Sequence, residues 1–194
     1  HRTLCINAFY FDGQQWLQDG GDIIPSPDEH IYSLALSFSA NGQTLVVGNK
    51  SKDSKQHKNA GEVIVYSKEA DKWVEQSTRF SGDIPNGKLG GQVLLSTAGN
   101  TIVASSSSMD ILQQNAGFVE TYTQSVKEWM RHVPTIKPTR SNSYFAHAIS
   151  LSADGTVLAL SAPYIGFGKP GYVKVYKSRA SGWQEIAMIT DKDG

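Results

Sequence analysis

One internal pattern limits how this chain can fold more than any other feature. Gly42, Gly99 and Gly155 lie 57 and 56 residues apart. Three residues before each stands a serine (Ser39, Ser96, Ser152), and ten before each an apolar or aromatic residue (Tyr32, Leu89, Phe145). Just after them come TLVVG, TIVAS and VLALS in one register. Farther on, GEVIVY from Gly61, GFVETY from Gly117 and GYVKVY from Gly171 match again. A tryptophan follows each terminal tyrosine by seven residues: Trp73, Trp129, Trp183. Phe9 precedes Trp16 by the same seven residues, which makes a fourth, partial copy. Self-similarity at a fixed period of this length marks a repeat architecture.

Each copy reads as four short strands. ALSFS or AISLS runs through a turn into TLVVG or VLALS, and EVIVY with the tryptophan segment forms a second hairpin. Asn41-Gly42 and Asp154-Gly155 read as two-residue turns in which both positions take positive φ. The segments are rich in Val, Ile, Leu and Tyr and show no sustained helical period. The expected fold is therefore all-β, a β-propeller of four-stranded antiparallel blades. The copies span about 1–28 (partial), 29–85, 86–141 and 142–194, a single domain of three full blades plus one partial blade. The inner strands VLAL and TLVV are apolar on both sides, as strands covered on both faces are. The tryptophans are expected to fill the wedge between adjacent blades near the outer rim.

The first copy begins in its third strand, and Leu4–Trp16 calls for a first and second strand from elsewhere. An open ring exposes apolar faces and sheet edges. The expectation is part of a larger propeller, or a ring completed by a partner: another protein or further blades. Consistent with that, the chain begins at His1 and so reads as a processed protein or a piece of a longer one.

The blades resemble FG-GAP repeats, the units of integrin-α-type propellers. Tyr32-Ser33, Leu89-Gly90 and Phe145-Ala146 stand at the FG position; GNK (48–50), SSS (105–107) and SAP (161–163) stand at the GAP position. The resemblance covers nearly the whole chain and implies a location outside the cytosol: secreted, cell-surface or in an organelle lumen. Calcium-binding members carry several aspartates in the loop between the first two strands. Here SANGQT, STAGNT and SADGTV supply only Asp154, whereas calcium takes about six to eight oxygen ligands. No metal or cofactor is expected, and Asp154-Gly155 reads as a hairpin turn.

Eighteen basic and 18 acidic residues leave no net charge, which removes the general electrostatic case for nucleic acid or an anionic membrane. No apolar run approaches the roughly 20 residues of a membrane-spanning helix. The single cysteine, Cys5, excludes an internal disulfide and reads as a small buried apolar residue in a strand.

Few residues carry chemistry. The loop 49–61 gathers Lys50, Lys52, Lys55, His57 and Lys58 against Asp53, and reads as a solvated loop ahead of an anionic or acidic-partner contact. Tyr164, Ile165 and Phe167 either form a protein-contact patch or fold back over the blade. GFGKPG (166–171) precedes a strand rather than a helix, so it is a connection and not a phosphate cradle. His30, His57, His132 and His147 share no repeat position and show no metal-ligand spacing. Ser105–Ser108 reads as a loop after a strand, and no acidic pair suggests general acid and base. The functional expectation is accordingly a non-enzymatic protein-interaction scaffold, an extracellular module or an accessory subunit of a larger assembly. The alternatives are a glycan-binding propeller and, behind it, a propeller glycoside hydrolase with acidic side chains clustered near the central axis, part of them supplied by blades outside this sequence.

Overall fold

The computed structural model describes residues 5–25, 34–106, 117–125, 128–132, 134–138, 144–163 and 170–190. Among them there is no helix, and three four-stranded antiparallel sheets follow one another along the chain. Blade 1 holds β3 (Ala35–Phe38), β4 (Thr44–Asn49), β5 (Glu62–Glu69) and β6 (Lys72–Ser81). Blade 2 holds β7 (Gln92–Leu95), β8 (Thr101–Ser106), β9 (Phe118–Ser125) and β10 (Glu128–Arg131). Blade 3 holds β11 (Ile149–Leu151), β12 (Val157–Ala162), β13 (Tyr172–Arg179) and β14 (Gly182–Thr190). The partial copy is a two-stranded hairpin of β1 (Phe9–Phe11) and β2 (Trp16–Gln18). Within each blade the strands pair in chain order, so the fold is the all-β propeller type with three blades and a partial one.

The blades fan. First strand β7 touches both β3 and β11, so the first strands line the inner side. Three apolar clusters fill the spaces between consecutive units. The hairpin's Ile6 and Ile23 meet Leu45, Val47, Ile64 and Tyr66 of blade 1. Val46, Val63 and Val65 of blade 1 meet Leu89, Val93, Ile102 and Phe118 of blade 2. Val103 and Val119 of blade 2 meet Phe145, Leu158, Leu160 and Tyr172 of blade 3. Alternate residues of a strand point to opposite faces, so a central strand with neighbours on both sides is largely apolar on both faces. Full burial of each such side chain contributes about 1.5–3 kcal/mol.

Polar contacts set the register between blades at three levels. At the outer rim each recurrent tryptophan donates from Nε1 to the preceding unit: Trp73 to Asp19 O, Trp129 to Gln76 Oε1 and Trp183 to Thr121 Oγ1, each at 2.9 Å. At the lower edge the turns form a chain, Ala40 N–H to Thr97 O at 3.0 Å and Thr97 N–H to Ala153 O at 2.9 Å. At the upper edge Leu89 N–H donates to Ala60 O at 2.9 Å, and Gly61 bridges Leu89 in parallel.

The FG position explains itself sterically. Leu89 and Phe145 are fully buried plugs between blades. Gly90 has φ +85°, and a Cβ there would lie 2.5 Å from Glu62 O. Ala146, in the same place one blade later, holds φ +60° with its side chain buried. Glycine suits a left-handed backbone pressed against a neighbouring main chain.

Three expectations from sequence are corrected. The lower turns are not two-residue turns with paired positive φ. Gly42 N–H bonds Ser39 O, and only Gly42 has positive φ; Gly99 and Gly155 repeat the arrangement. The turn is thus closed over two ordinary residues and followed by a left-handed glycine, because each serine Oγ accepts from amides across the loop, Thr44 N at 3.0 Å and Thr101 N at 3.0 Å. Cys5 is exposed and outside any strand, since the two-stranded hairpin provides no inner strands to cover it. Ser105 and Ser106 are not loop residues: both are buried within β8, and Ser106 Oγ donates to Gly87 O.

Among the described residues, the two ends of the array carry exposed apolar side chains. On blade 1, Leu36 and Phe38 of β3 are 48% and 44% exposed, because the hairpin covers only the outer part of that face. Trp16 of the hairpin is 68% exposed.

Candidate functional site

The upper edge concentrates chemistry. Antiparallel order places there the connections β4–β5, β8–β9 and β12–β13 and the links from each fourth strand to the next first strand. Among the described residues, five of the six non-glycine positions with positive φ lie on it: Asn59, Asn86, Lys88, Tyr144 and Ala146. Conformations of this kind persist where surrounding structure enforces them, and they collect at ligand-handling sites.

The basic loop is an ordered part of this edge. Ser54 N–H bonds His57 O at 2.9 Å, Asn59 N–H bonds Asp53 Oδ1 at 2.7 Å, and Gly61 N–H bonds Lys52 O at 2.9 Å. The loop then grips the next blade: Asn86 N–H donates to Lys58 O at 2.9 Å and Lys88 N–H to Asn59 O at 3.0 Å. These bonds bring Lys88, thirty positions later in the chain, beside Lys58. Lys50, Lys55 and Lys58 are exposed, while Lys52 and His57 are half-buried. Lys88 escaped the sequence reading because its charge stands at no repeated basic position; blade 3 has Tyr144 there. Tyr164, Ile165 and Phe167 lie outside the described residues.

On the same edge, at the starts of β7 and β11, Gln92 and His147 meet. The Gln92 Nε2 donates to His147 O, and Ile149 N–H donates to Gln92 Oε1 at 3.3 Å. The His147 ring is exposed and edge-on to Tyr144, centroids 6.4 Å apart. The upper edge therefore combines an imidazole near the inner side with a cationic strip reaching outward.

A second polar group is built into the wedge between blades 1 and 2. Glu120 is buried; its Oε2 accepts from Tyr122 Oη at 2.5 Å, and its Oε1 pairs with Arg131. Arg131 also reaches Asp83 of blade 1 at 3.7 Å and Thr135 Oγ1 at 2.8 Å. Burial raises the Glu120 carboxyl above the ordinary glutamate value, opposed by the Tyr122 hydroxyl and Arg131. Burial likewise raises the Tyr122 phenol. In blade 3 the same position is Lys174, paired with Glu185 at 2.8 Å. The group is closed over by its own partners, so it joins blades rather than meeting a ligand.

Two further places hold polar side chains at the lower edge. Asp154 uses both carboxylate oxygens within its own turn, on Ser152 Oγ at 2.5 Å, Thr156 N–H at 3.0 Å and Thr156 Oγ1 at 2.8 Å. Those bonds, led by the Ser152 hydroxyl, hold its carboxyl down at about 2. On the lower edge, a groove of about 450 Å³ between hairpin and blade 1 is lined by Phe9, Tyr10, Phe38, Asp71 and the Asp19–Lys68 ion pair.

No family model and no curated protein matches this sequence. Solved structures do match in shape. A candidate 6-phosphogluconolactonase from Bacteroides uniformis aligns over 96% of this chain and 48% of its own, with TM-score 0.63 and 15% identity. The periplasmic gluconolactonase of Pseudomonas aeruginosa aligns over 94% of this chain and 63% of its own, with TM-score 0.42 and 14% identity. The chain thus spans about half the length of the first of these. The likeness to the Bacteroides structure establishes the fold. It also corrects the expectation of a non-enzymatic scaffold, because the propeller this chain matches bears the name of an enzyme, a lactonase. The physical reason is that blades each deliver side chains to a shared edge, so a propeller site leaves no compact spacing in sequence, and the lack of a visible motif does not argue for a scaffold.

Proposed function

We propose that these blades belong to a propeller hydrolase that opens the cyclic ester of an anionic sugar acid at the upper edge. The observation that carries the proposal is the docking of the lysine loop onto the link before β7, which sets Lys58 beside Lys88 on the same edge of the blades as His147. A like-signed strip raises the local concentration of an oppositely charged substrate and steers it in. The fold likeness to a candidate 6-phosphogluconolactonase supports a phosphorylated lactone as the substrate class. In this reading the His147 imidazole takes a proton from water as the water oxygen bonds to the lactone carbonyl carbon. The resulting oxyanion is stabilised by the cationic strip; on its collapse the ring C–O bond breaks, and the departing alkoxide recovers the proton from the imidazolium.

The test is lactone opening measured as acid release above the spontaneous rate. Phosphorylated and unphosphorylated gluconolactone are the paired substrates. Acceleration of both is expected, with the lower KM for the phosphorylated one. Replacing Lys58 and Lys88 by alanine should raise that KM about tenfold and leave the neutral substrate's unchanged. His147→Ala should lower kcat by about 100-fold or more. No acceleration of either lactone over buffer rejects the proposal.

A further inference from the structure

Two side chains at the junction of blades 2 and 3 depart from the repeat, and they meet. Gln92 stands seven positions before its turn glycine, where blades 1 and 3 carry Ala35 and Ala148. His147 stands eight positions before Gly155, where the other blades carry Leu34 and Gly91. Packing between blades requires neither side chain, since two of the three copies do without each. The fold nonetheless sets them together from 55 residues apart, with Gln92 Nε2 donating to His147 O.

A glutamine amide carries a donor and an acceptor, as a peptide group does. Gln92 uses both on one stretch of main chain, the second by accepting from Ile149 N–H at 3.3 Å. Ser161 of β12 holds the residue between: its Oγ accepts from Ala148 N–H at 2.9 Å, and its N–H donates to Ala148 O at 3.0 Å. His147 N–H in turn closes on Tyr144 O at 3.1 Å. From His147 N–H to Ile149 N–H, every main-chain donor and acceptor is engaged. The chain reaches this stretch through two left-handed residues, Tyr144 at φ +45° and Ala146 at φ +60°. Such conformations hold only where neighbours enforce them. The backbone of His147 is thereby pinned while its ring projects exposed, edge-on to Tyr144.

We infer that Gln92 is a positioning residue for the His147 imidazole, acting across the blade boundary through the main chain of His147–Ile149. The inference rests on the lactone-opening reading, in which that imidazole takes the proton of the attacking water. A general base works only within hydrogen-bond reach of the proton it removes, so a small displacement of its backbone costs rate rather than substrate affinity. Lys58 and Lys88 govern substrate binding in the same reading, so the two contributions separate in kinetics.

The test is Gln92→Ala in the 194-residue chain, a side chain the fold already accepts at Ala35 and Ala148. For phosphorylated and unphosphorylated gluconolactone alike, kcat should fall about tenfold with KM within about twofold of native. Gln92→Met, which fills the volume but makes neither hydrogen bond, should lose as much. In a His147→Ala background, Gln92→Ala should lower the residual rate no further, because the clamp has nothing left to position. The NMR signals of the His147 ring, assigned by their loss in His147→Ala, should shift in Gln92→Ala while the other histidine signals stay. Native kcat in Gln92→Ala beside a disabled His147→Ala overturns the inference and leaves the hydrolase reading standing. So does a further loss of the same size in the double variant, which gives Gln92 a separate role, and so does an unmoved His147 ring signal. A native chain inert towards both lactones removes the hydrolase reading, and the catalytic use of the clamp with it.

Discussion

The indole of Trp129 donates to the side-chain oxygen of Gln76, 2.9 Å away and 53 residues earlier, and so ties the outer strand of one blade to that of the preceding blade. Trp129→Phe removes the donor and also trims the buried ring, so denaturant unfolding should show a loss of more than about 1 kcal/mol. A double-mutant cycle with Gln76→Ala should return a coupling of about 0.5–1.5 kcal/mol; zero coupling means the bond does not hold the blades together.

Asp154 reports acid through its turn. Its carboxyl is held at about 2 in the folded chain against an ordinary 3.8, so its contribution is present above 3.8 and is lost as pH falls towards 2. Asn41 serves the same turn in blade 1, accepting from Gln43 N–H at 3.1 Å. Asp154→Asn should therefore leave neutral stability nearly unchanged and flatten the thermal-melting profile between those two pH values. An unaltered acid slope argues against the assignment.

Glu120 has the opposite sign. Its folded carboxyl lies above the ordinary 4.5, so the folded chain binds that proton more tightly than the unfolded one. The contribution falls as pH rises from 4.5 through the folded value. Glu120→Gln should thus gain on the native protein in melting temperature as pH rises over that window. Arg131→Ala removes a partner 38% exposed from a buried carboxylate and should cost about 2 kcal/mol at neutral pH, the exposure reducing the usual penalty.

The FG position gives a paired backbone test. Gly90→Ala sets a Cβ 2.5 Å from Glu62 O at φ +85° and should cost about 2 kcal/mol or more. Ala146→Gly relieves a φ of +60° and should change stability far less, in either direction, since the lost methyl is buried. Equal and large losses at both positions contradict the steric account.

The repeat settled most of the architecture before any coordinate. Ser39, Ser96 and Ser152, the glycines three positions on, and the tryptophans recur because every blade solves the same packing problem against its neighbour. Short strands apolar on both faces, joined by glycine turns at a fixed repeat, could form little else. What tertiary structure alone decided is which residues of different blades meet. Lys88 joins Lys58 through main-chain bonds that belong to no motif, and His147 joins Gln92 at the starts of two inner strands. Glu120, Arg131 and Asp83 converge from two blades. Strand periodicity is local and is written in neighbouring residues; a site on a blade edge is assembled across separations set by radial stacking, which no local spacing encodes.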